Sequence, residues 1–342
     1  MTKIELKHSV HKDGFHLELD TYIPSTGVTG VFGESGSGKT TLLRCIAGLE
    51  GRQKGSLPIH RRRIGYVFQE PQLFAHLSVR KNIEFGMRRN ATADVAAGVS
   101  VDKIARLFEV EKLLDRSVHS LSGGEAQRVS IARVLSQSPR LILMDEPLSA
   151  LDERRRNEVL PYLDRLHVET SVPIIYVSHN IDEICRLSDH LLVLHDGKVV
   201  AEGALQETLA RIDLPQMAGR NAGAVIEASR KRYDEEFDLT LFDFAGGEIW
   251  VAGPYESEKV RLRIDASDVS LCRVAAESTT ILNTLPAVIE ATAAESASTT
   301  LVRLRLGDQA LVARITKRSL QHLELRVGDE VFAQIKSVTV RH

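Results

Sequence analysis

Val28-Thr29-Gly30-Val31-Phe32 leads directly into Gly33-Glu34-Ser35-Gly36-Ser37-Gly38-Lys39-Thr40, and Thr41-Leu42-Leu43-Arg44-Cys45-Ile46 follows. A short β-branched run, a glycine-rich octet ending in Lys-Thr and an apolar helical run make up the strand, loop and helix that a phosphate-binding loop requires. Glycines lack a Cβ, so residues 33–40 can curl until successive backbone N–H groups, from Gly33 and Glu34 through Ser35, Gly36, Ser37 and Gly38, face a polyphosphate. The helix start adds partial positive charge at the same place. Lys39 is then placed to bridge β- and γ-phosphate oxygens, Thr40 to set its hydroxyl on Mg²⁺, and Thr41 to reach the α-phosphate region. A turn that only capped a helix would need neither the lysine nor the paired threonines.

Outward from this loop, the first part of the chain alternates short apolar runs with helical stretches, the pattern of an α/β fold with a largely parallel sheet. Leu141-Ile142-Leu143-Met144, Ile174-Ile175-Tyr176-Val177 and Leu191-Leu192-Val193-Leu194 are nearly continuous apolar runs, as strands covered on both faces are. The first of them ends in Asp145-Glu146. A buried parallel strand delivers such acids at its C-terminal edge, where ligands gather in open α/β sheets. There Asp145 would hold Mg²⁺, and Glu146 would accept a hydrogen bond from the attacking water as general base.

The chain has 342 residues, enough for about two domains by the usual size range. Its 44 Lys+Arg against 46 Asp+Glu give a net charge of −2, which excludes a strongly basic nucleic-acid binder. No apolar stretch approaches the length of a membrane span, and the charges spread through Met1-Thr2-Lys3-Ile4-Glu5-Leu6-Lys7 do not fit a secretory signal. A soluble chain that stays in the cytoplasm is expected. Cys45, Cys185 and Cys272 are odd in number and far apart, so they read as reduced, mostly buried thiols rather than a disulfide or zinc framework.

Leu121-Ser122-Gly123-Gly124-Glu125 precedes the helical run Ala126-Gln127-Arg128-Val129-Ser130-Ile131-Ala132-Arg133. Ser-x-x-Glu is a capping box in its own right; a helix start with two glycines and an exposed serine is also an anion site. Together with the phosphate loop and the Asp-Glu strand, this set resembles the motifs of ABC-type ATPases. The resemblance implies a P-loop NTPase fold with a helical subdomain, ATP and Mg²⁺ as ligands, and a homodimer in which Ser122, Gly123 and Gly124 of one copy close over the ATP held by the other. It also implies that Gln69, in Tyr66-Val67-Phe68-Gln69, contacts Mg²⁺ and water, and that His179 is the switch histidine. Ser149-Ala150-Leu151-Asp152 then corresponds to the loop that crosses the dimer interface. For Phe15, stacking on adenine and core packing both stand.

The stretch between Gln69 and Leu121 is helical in character and too short for a long coiled-coil insertion, unlike the DNA-maintenance members. A single motif set followed by a β region resembles the ATPase subunits of bacterial importers. Arg63-Ile64-Gly65-Tyr66-Val67-Phe68-Gln69, Leu73-Phe74-Ala75-His76-Leu77, Leu160-Pro161-Tyr162-Leu163, Ile264-Asp265-Ala266-Ser267-Asp268-Val269-Ser270-Leu271 and Ala333-Gln334-Ile335-Lys336-Ser337-Val338 resemble the ATPase of molybdate importers. That implies integral-membrane permease partners, a periplasmic or extracellular molybdate-binding protein acting indirectly, a place on the cytoplasmic face of the membrane, and no nucleic acid. Import of sulfate or tungstate, or a non-transport ABC ATPase or molybdate sensor, are the alternatives. Two departures are the shortness of residues 55–63 and Ala126 after the signature glutamate.

Beyond a helical stretch at residues 204–212, apolar and charged residues alternate with period two. They do so in Lys259-Val260-Arg261-Leu262-Arg263-Ile264, and in Leu301-Val302-Arg303-Leu304-Arg305-Leu306, which a Gly307-Asp308 turn joins to Ala310-Leu311-Val312-Ala313-Arg314-Ile315. This is a small all-β, OB-like barrel. Residues 291–300, rich in Ser, Thr and Ala, read as a loop. Val260, Ile264 and Val269 share their spacing with Val331, Ile335 and Val340, which fits either a repeat or chance. The expected division is an ATPase domain at 1–230, a β-rich connecting segment at 231–277 and an oxyanion-binding domain at 278–342. In the last, Thr279, Thr280, Asn283, Lys336 and Ser337 are candidate donors to a tetrahedral dianion, or simply polar residues on strand edges.

Overall fold

The computed structural model describes residues 3–12, 15–51, 62–88, 100–275 and 278–341. They divide into two compact units, up to Glu202 and from Gly203 onward.

The first unit contains β1 (Lys3–Lys12), β2 (Phe15–Pro24), β3 (Val28–Phe32), α1 (Lys39–Ala47), β4 (Ile64–Val67), α2 (Val79–Arg88), α3 (Val101–Leu107), α4 (Gly123–Leu135), β5 (Leu141–Asp145), α5 (Glu153–Thr170), β6 (Ile174–Val177), α6 (Ile181–Leu187), β7 (His190–His195) and all but the last two residues of β8 (Lys198–Ala204). The strands form one sheet in the order β1-β2-β8-β7-β3-β6-β5-β4, parallel from β7 through β4. Every residue of β3, β5 and β6 is buried, as their continuous apolar runs require of strands covered on both faces. The register puts Val31 opposite Val177 and Val177 opposite Asp145. The C-terminal ends of β3, β5 and β6 therefore lie level, and the loops that follow them converge.

Between β4 and β5 the chain builds helices α2, α3 and α4. Arg128 of α4 donates to the carbonyl of Phe108 at 3.0 Å and lies over the Tyr162 ring of α5, which ties the helical segment together. The departure at residues 55–63 falls, up to residue 61, outside the described residues.

The second unit holds α7 (Leu205–Leu209), β9 (Gly223–Asp234), β10 (Leu239–Phe244), β11 (Gly247–Ala252), β12 (Lys259–Asp265), β13 (Val269–Cys272), β14 (Asn283–Ala294), β15 (Thr299–Leu306), β16 (Gln309–Thr316), α8 (Lys317–His322), β17 (Glu330–Ile335) and β18 (Thr339–Arg341). Two five-stranded sheets, β11-β10-β9-β12-β18 and β13-β17-β14-β15-β16, enclose one core that includes Ile226, Phe242, Leu262, Leu285, Leu304 and Ala333.

Those two orders trace the same path. Val260 faces Ala228 as Val331 faces Ala287, and Ile264 faces Ala224 as Ile335 faces Asn283. Each sheet also carries a bulge at the corresponding place, one leaving out Lys231 and the other Glu290. The spacing echo is therefore a true repeat, in which the last strand of each half pairs with the other half's sheet. One of its three pairs shifts. Leu262 faces Val340 and Ala333 faces Leu271, so the counterpart of Val340 is Leu271 and not Val269.

Three expectations are corrected. The boundary falls at 202/203 instead of 230, because Leu205 and Leu209 of α7 bury themselves here and residues 210, 222 and 266 share a small core with Leu301 and Val312. Residues 231–277 are no connector, since they carry most of the first repeat. The stretch 291–300 is mostly strand. β14 runs through Ala294, β15 starts at Thr299, and Thr292 faces Val302. Small and β-branched residues read as loop by composition, yet Thr and Ala fit a two-stranded ribbon once the partner strand is in register.

Candidate functional site

The loop after β3 and the helix it feeds form the floor of the site. Gly38 caps α1 at φ 103°, a left-handed conformation that a Cβ would strain, and a Cβ there would also lie 2.6 Å from Cζ of Phe15. Lys39 is buried, and its Nζ donates to the carbonyls of Gly33 and Glu34 at 2.9 Å each. Burial lowers the Lys39 ammonium from its ordinary value, while the carboxylates of Glu146 and Asp145 act against that shift. The Ser37 hydroxyl is buried in the same loop and, among the described residues, has no hydrogen-bond partner. A cleft of about 450 Å³ opens above, lined by Phe15, Ser35, Gly36, Gly38, Lys39, Thr40, Thr41 and Glu146. Phe15 thus stands on the cleft wall next to the phosphate loop.

The carboxylates arrive from β5. Asp145 takes hydrogen bonds from the Thr40 hydroxyl at 3.0 Å on Oδ1 and from the Tyr66 hydroxyl at 2.9 Å on Oδ2. Burial raises its pKa, and those two donors oppose the rise. Glu146 has φ +44°, an unusual conformation for a residue with a side chain. That turn aims its carboxylate back into the cleft, with Oε1 3.8 Å from Lys39 Nζ and Oε2 3.0 Å from Nδ1 of His179. Phosphate-loop lysine, carboxylate and imidazole are thereby brought together by level strand ends. A hydroxyl and a carboxylate at hydrogen-bond distance, beside a glycine-rich loop that opens a helix, suit Mg²⁺ with a nucleoside polyphosphate.

Other candidates lie elsewhere. Gln69 is exposed just after β4 and, among the described residues, makes no hydrogen bond to the rest of the site. Ser122 caps α4 by accepting from the Glu125 N–H at 3.3 Å, and Glu125 accepts from the Ser122 N–H at 2.7 Å, so the capping box is formed. Gly123 abuts Leu151, since a Cβ on it would sit 3.2 Å from Cδ2 of that leucine. None of Ser122, Gly123 and Gly124 lines the cleft of its own chain.

In the second unit, Asn283 faces Ile335, which brings residues 279–283 and 336–337 to one end of β14 and β17. Thr280, Lys336 and Ser337 are exposed there, and the Thr279 hydroxyl accepts from the Ile281 N–H at 3.1 Å. Asn283 has a different task. Its Oδ1 accepts from the Trp250 N–H at 2.7 Å and its Nδ2 donates to the Trp250 carbonyl at 2.9 Å, joining the two sheets. That use of the buried amide corrects its place in the anion-binding set.

Comparison with known proteins follows the same division. Residues 17–149 match the family model described as ABC transporter, and residues 279–341, essentially the second repeat, match the TOBE domain. The molybdenum import ATP-binding protein ModC of Methylococcus capsulatus is 47% identical over 99% of this chain and 99% of its own length. That of Thiobacillus denitrificans is 49% identical over 96% of this chain and 94% of its own. The chain belongs to the molybdenum import ATP-binding protein family. Among solved structures, cbiO1 of Clostridium perfringens, part of an ABC transporter complex, is similar at TM-score 0.52 and 28% identity over 63% of this chain and 92% of its own. The ATP-binding cassette MJ1267 is similar at TM-score 0.51 and 24% identity over 60% of this chain and 93% of its own, which speaks to the fold.

Three site features of this family member escape sequence reading. Tyr66 sits in a quoted motif, but only the pairing of β4 with β5 reveals that its hydroxyl meets Asp145. Arg156 and Glu183 are ordinary helix residues by sequence, and the structure joins them at 3.1 Å beneath the loops of the site. Asn283 and Trp250 are linked across two sheets by a contact no local pattern announces.

Proposed function

We propose that this chain is the ATP-hydrolysing subunit of a molybdate importer and that it works as a homodimer on integral-membrane permease subunits. The reading rests on one conjunction. A chain similar along its whole length to proteins named for molybdenum import has Lys39, Asp145, Glu146 and His179 gathered at level strand ends.

ATP lies along residues 33–41, with Phe15 against the base. Lys39 exchanges the Gly33 and Glu34 carbonyls for phosphate oxygens, and Ser37 gains a partner. Mg²⁺, when bound, neutralises charge on the phosphate oxygens, and Thr40, Asp145 and Gln69 are the side chains that would hold it. Glu146 orients a water against the γ-phosphorus and draws off its proton as the bond to the bridging oxygen breaks, giving ADP and inorganic phosphate. His179 fixes the Glu146 carboxylate and donates towards the γ-phosphate. Ser122, Gly123 and Gly124 act on the ATP of the partner copy, so a lone copy hydrolyses poorly.

Among the described residues no helix is long and apolar enough to cross a membrane. In this reading the chain acts from the cytoplasmic face through its permease, with a periplasmic or extracellular molybdate-binding protein on the far side and no nucleic acid. Thr279, Thr280, Lys336 and Ser337 form the site through which the oxyanion is sensed.

Uptake of labelled molybdate, tungstate and sulfate in cells with and without the gene tests the reading. Molybdate uptake should fall on deletion and return with the wild-type chain but not with Glu146→Gln. Loss of sulfate uptake alone would reassign the cargo. A chain that never co-purifies with a membrane subunit would point to a non-transport ATPase or a sensor.

A further inference from the structure

We infer that Arg156 and Glu183 are positioning residues for His179, linking the loop at residues 149–152 to the switch histidine of the same chain. The inference rests on the ATPase reading above. Glu183, on α6, is 4% exposed. Its Oε2 accepts from the Tyr176 hydroxyl at 2.7 Å and from the Ser178 hydroxyl at 2.8 Å. Ser178 in turn accepts from the Asn180 N–H at 3.0 Å, so the two residues that flank His179 are both held by this one carboxylate.

The other oxygen faces a cation from a different element. Nε of Arg156, near the start of α5, lies 3.1 Å from Oε1 of Glu183, and the same guanidinium donates from NH2 to the Leu151 carbonyl at 3.3 Å. Leu151 belongs to the loop between Glu146 and α5 and packs on Gly123 at the start of α4. A continuous path of contacts thus runs from Gly123 through Leu151, Arg156, Glu183 and Ser178 to His179, which meets Glu146 at 3.0 Å.

A buried ion pair seldom outdoes apolar packing in stability, because desolvating both charges cancels much of their attraction. What this pair supplies is orientation. The Arg156 charge draws Oε1 towards α5, the hydrogen bonds on Oε2 fix the Ser178–Asn180 backbone, and that backbone sets where the imidazole stands. A displacement of the 149–152 loop moves the Leu151 carbonyl and pulls on the guanidinium that holds Glu183.

The test is a double-mutant cycle on the full chain, read by single-turnover ATP hydrolysis, ATP affinity and thermal unfolding. Misplacing a catalytic group by about 1 Å costs up to roughly 100-fold, so Arg156→Gln should lower kcat by about 10- to 100-fold with KM for ATP little changed. In the His179→Ala background the same substitution should cost less than about twofold, since the residue it positions is gone. Arg156→Lys, which keeps the charge facing Glu183, should recover most of the rate. Ser178→Ala cuts only the last link and should repeat the pattern if Arg156→Gln fails to fold. Equal fold losses in the presence and absence of His179 would overturn the inference. A wild-type chain without hydrolysis would overturn the ATPase reading instead.

Discussion

Nδ1 of His179 stands 3.0 Å from Oε2 of Glu146, although the two residues belong to loops after different strands. The register that sets Asp145 opposite Val177 makes the meeting possible, and the positive φ of Glu146 completes it. A strained backbone persists where its surroundings hold it, here by the Glu146 N–H donating to the Val177 carbonyl at 3.1 Å. Replacing Glu146 by Gln keeps the shape and the hydrogen bond but removes the base. Turnover should fall by about 10²- to 10⁴-fold while ATP binding stays within a few-fold, as phosphate release and fluorescent-nucleotide titration would show. Undiminished release would refute the assignment.

Tyr66 governs Asp145 in a way that Mg²⁺ titration can expose. Burial drives the carboxyl towards its neutral form, and the Tyr66 hydroxyl opposes that by donating to Oδ2. Burial also pushes the phenol well above its ordinary value, so it stays a donor at any working pH. In Tyr66→Phe the carboxyl pKa rises further and Oδ2 loses its anchor. The Mg²⁺ concentration for half-maximal ATPase should increase by about tenfold, a usual cost of losing a supporting hydrogen bond at a metal ligand. The gap from wild type should widen as pH falls, because the neutral acid holds Mg²⁺ poorly. Mg²⁺ binding followed by calorimetry in the presence of a non-hydrolysable ATP analogue gives the same comparison without turnover. An unshifted titration would leave Tyr66 with a packing role only.

The first unit is legible because its signals are local. The glycine octet before Lys39 and the apolar run before Asp145 each carry their own structural context, so strand, loop and chemistry can be read from a dozen residues. Strand registers are another matter. Whether Tyr66 reaches Asp145 depends on the pairing of β4 with β5, and that pairing is settled by sheet packing. The repeat in the second unit leaves a faint spacing because each half donates its last strand to the other's sheet, so no continuous segment contains a whole sheet. Composition misleads at residues 291–300 for a related reason. Their strand character comes from the partner strand.

Asn283 and Trp250 give a measure of how the two sheets of the second unit are tied. In Asn283→Leu the N–H and carbonyl of Trp250 lose both partners, and an unsatisfied buried polar group costs about 1–3 kcal/mol. Trp250 is the only tryptophan of the chain, so its fluorescence reports the unfolding of this unit directly. The midpoint of that transition in denaturant should fall while ATP binding by the first unit is kept. An anion-binding role for the Asn283 amide would instead leave the midpoint near wild type and change molybdate binding alone.

Cys45, on α1 behind the phosphate loop, offers a pH test of the packing there. Burial, with the nearby Glu50 carboxylate adding to it, pushes its thiol up from an ordinary 9.0 to about 11. Below pH 9 both folded and unfolded chains keep the proton, and the group has no effect on stability. As pH rises from about 9 through about 11, the unfolded chain releases its proton while the folded chain holds it, so unfolding gains free energy and stability falls. The same burial makes the thiolate scarce, and the thiolate is the reactive species. At pH 8, Cys45 and the equally buried Cys185 should resist iodoacetamide in the native chain, whereas the half-buried Cys272 is the first to be modified. Mass spectrometry of native and denatured samples separates the three sites. Rapid native alkylation of Cys45, at a rate like that of a free thiol, would show that α1 opens readily and that the phosphate loop it supports is not held as the structure describes.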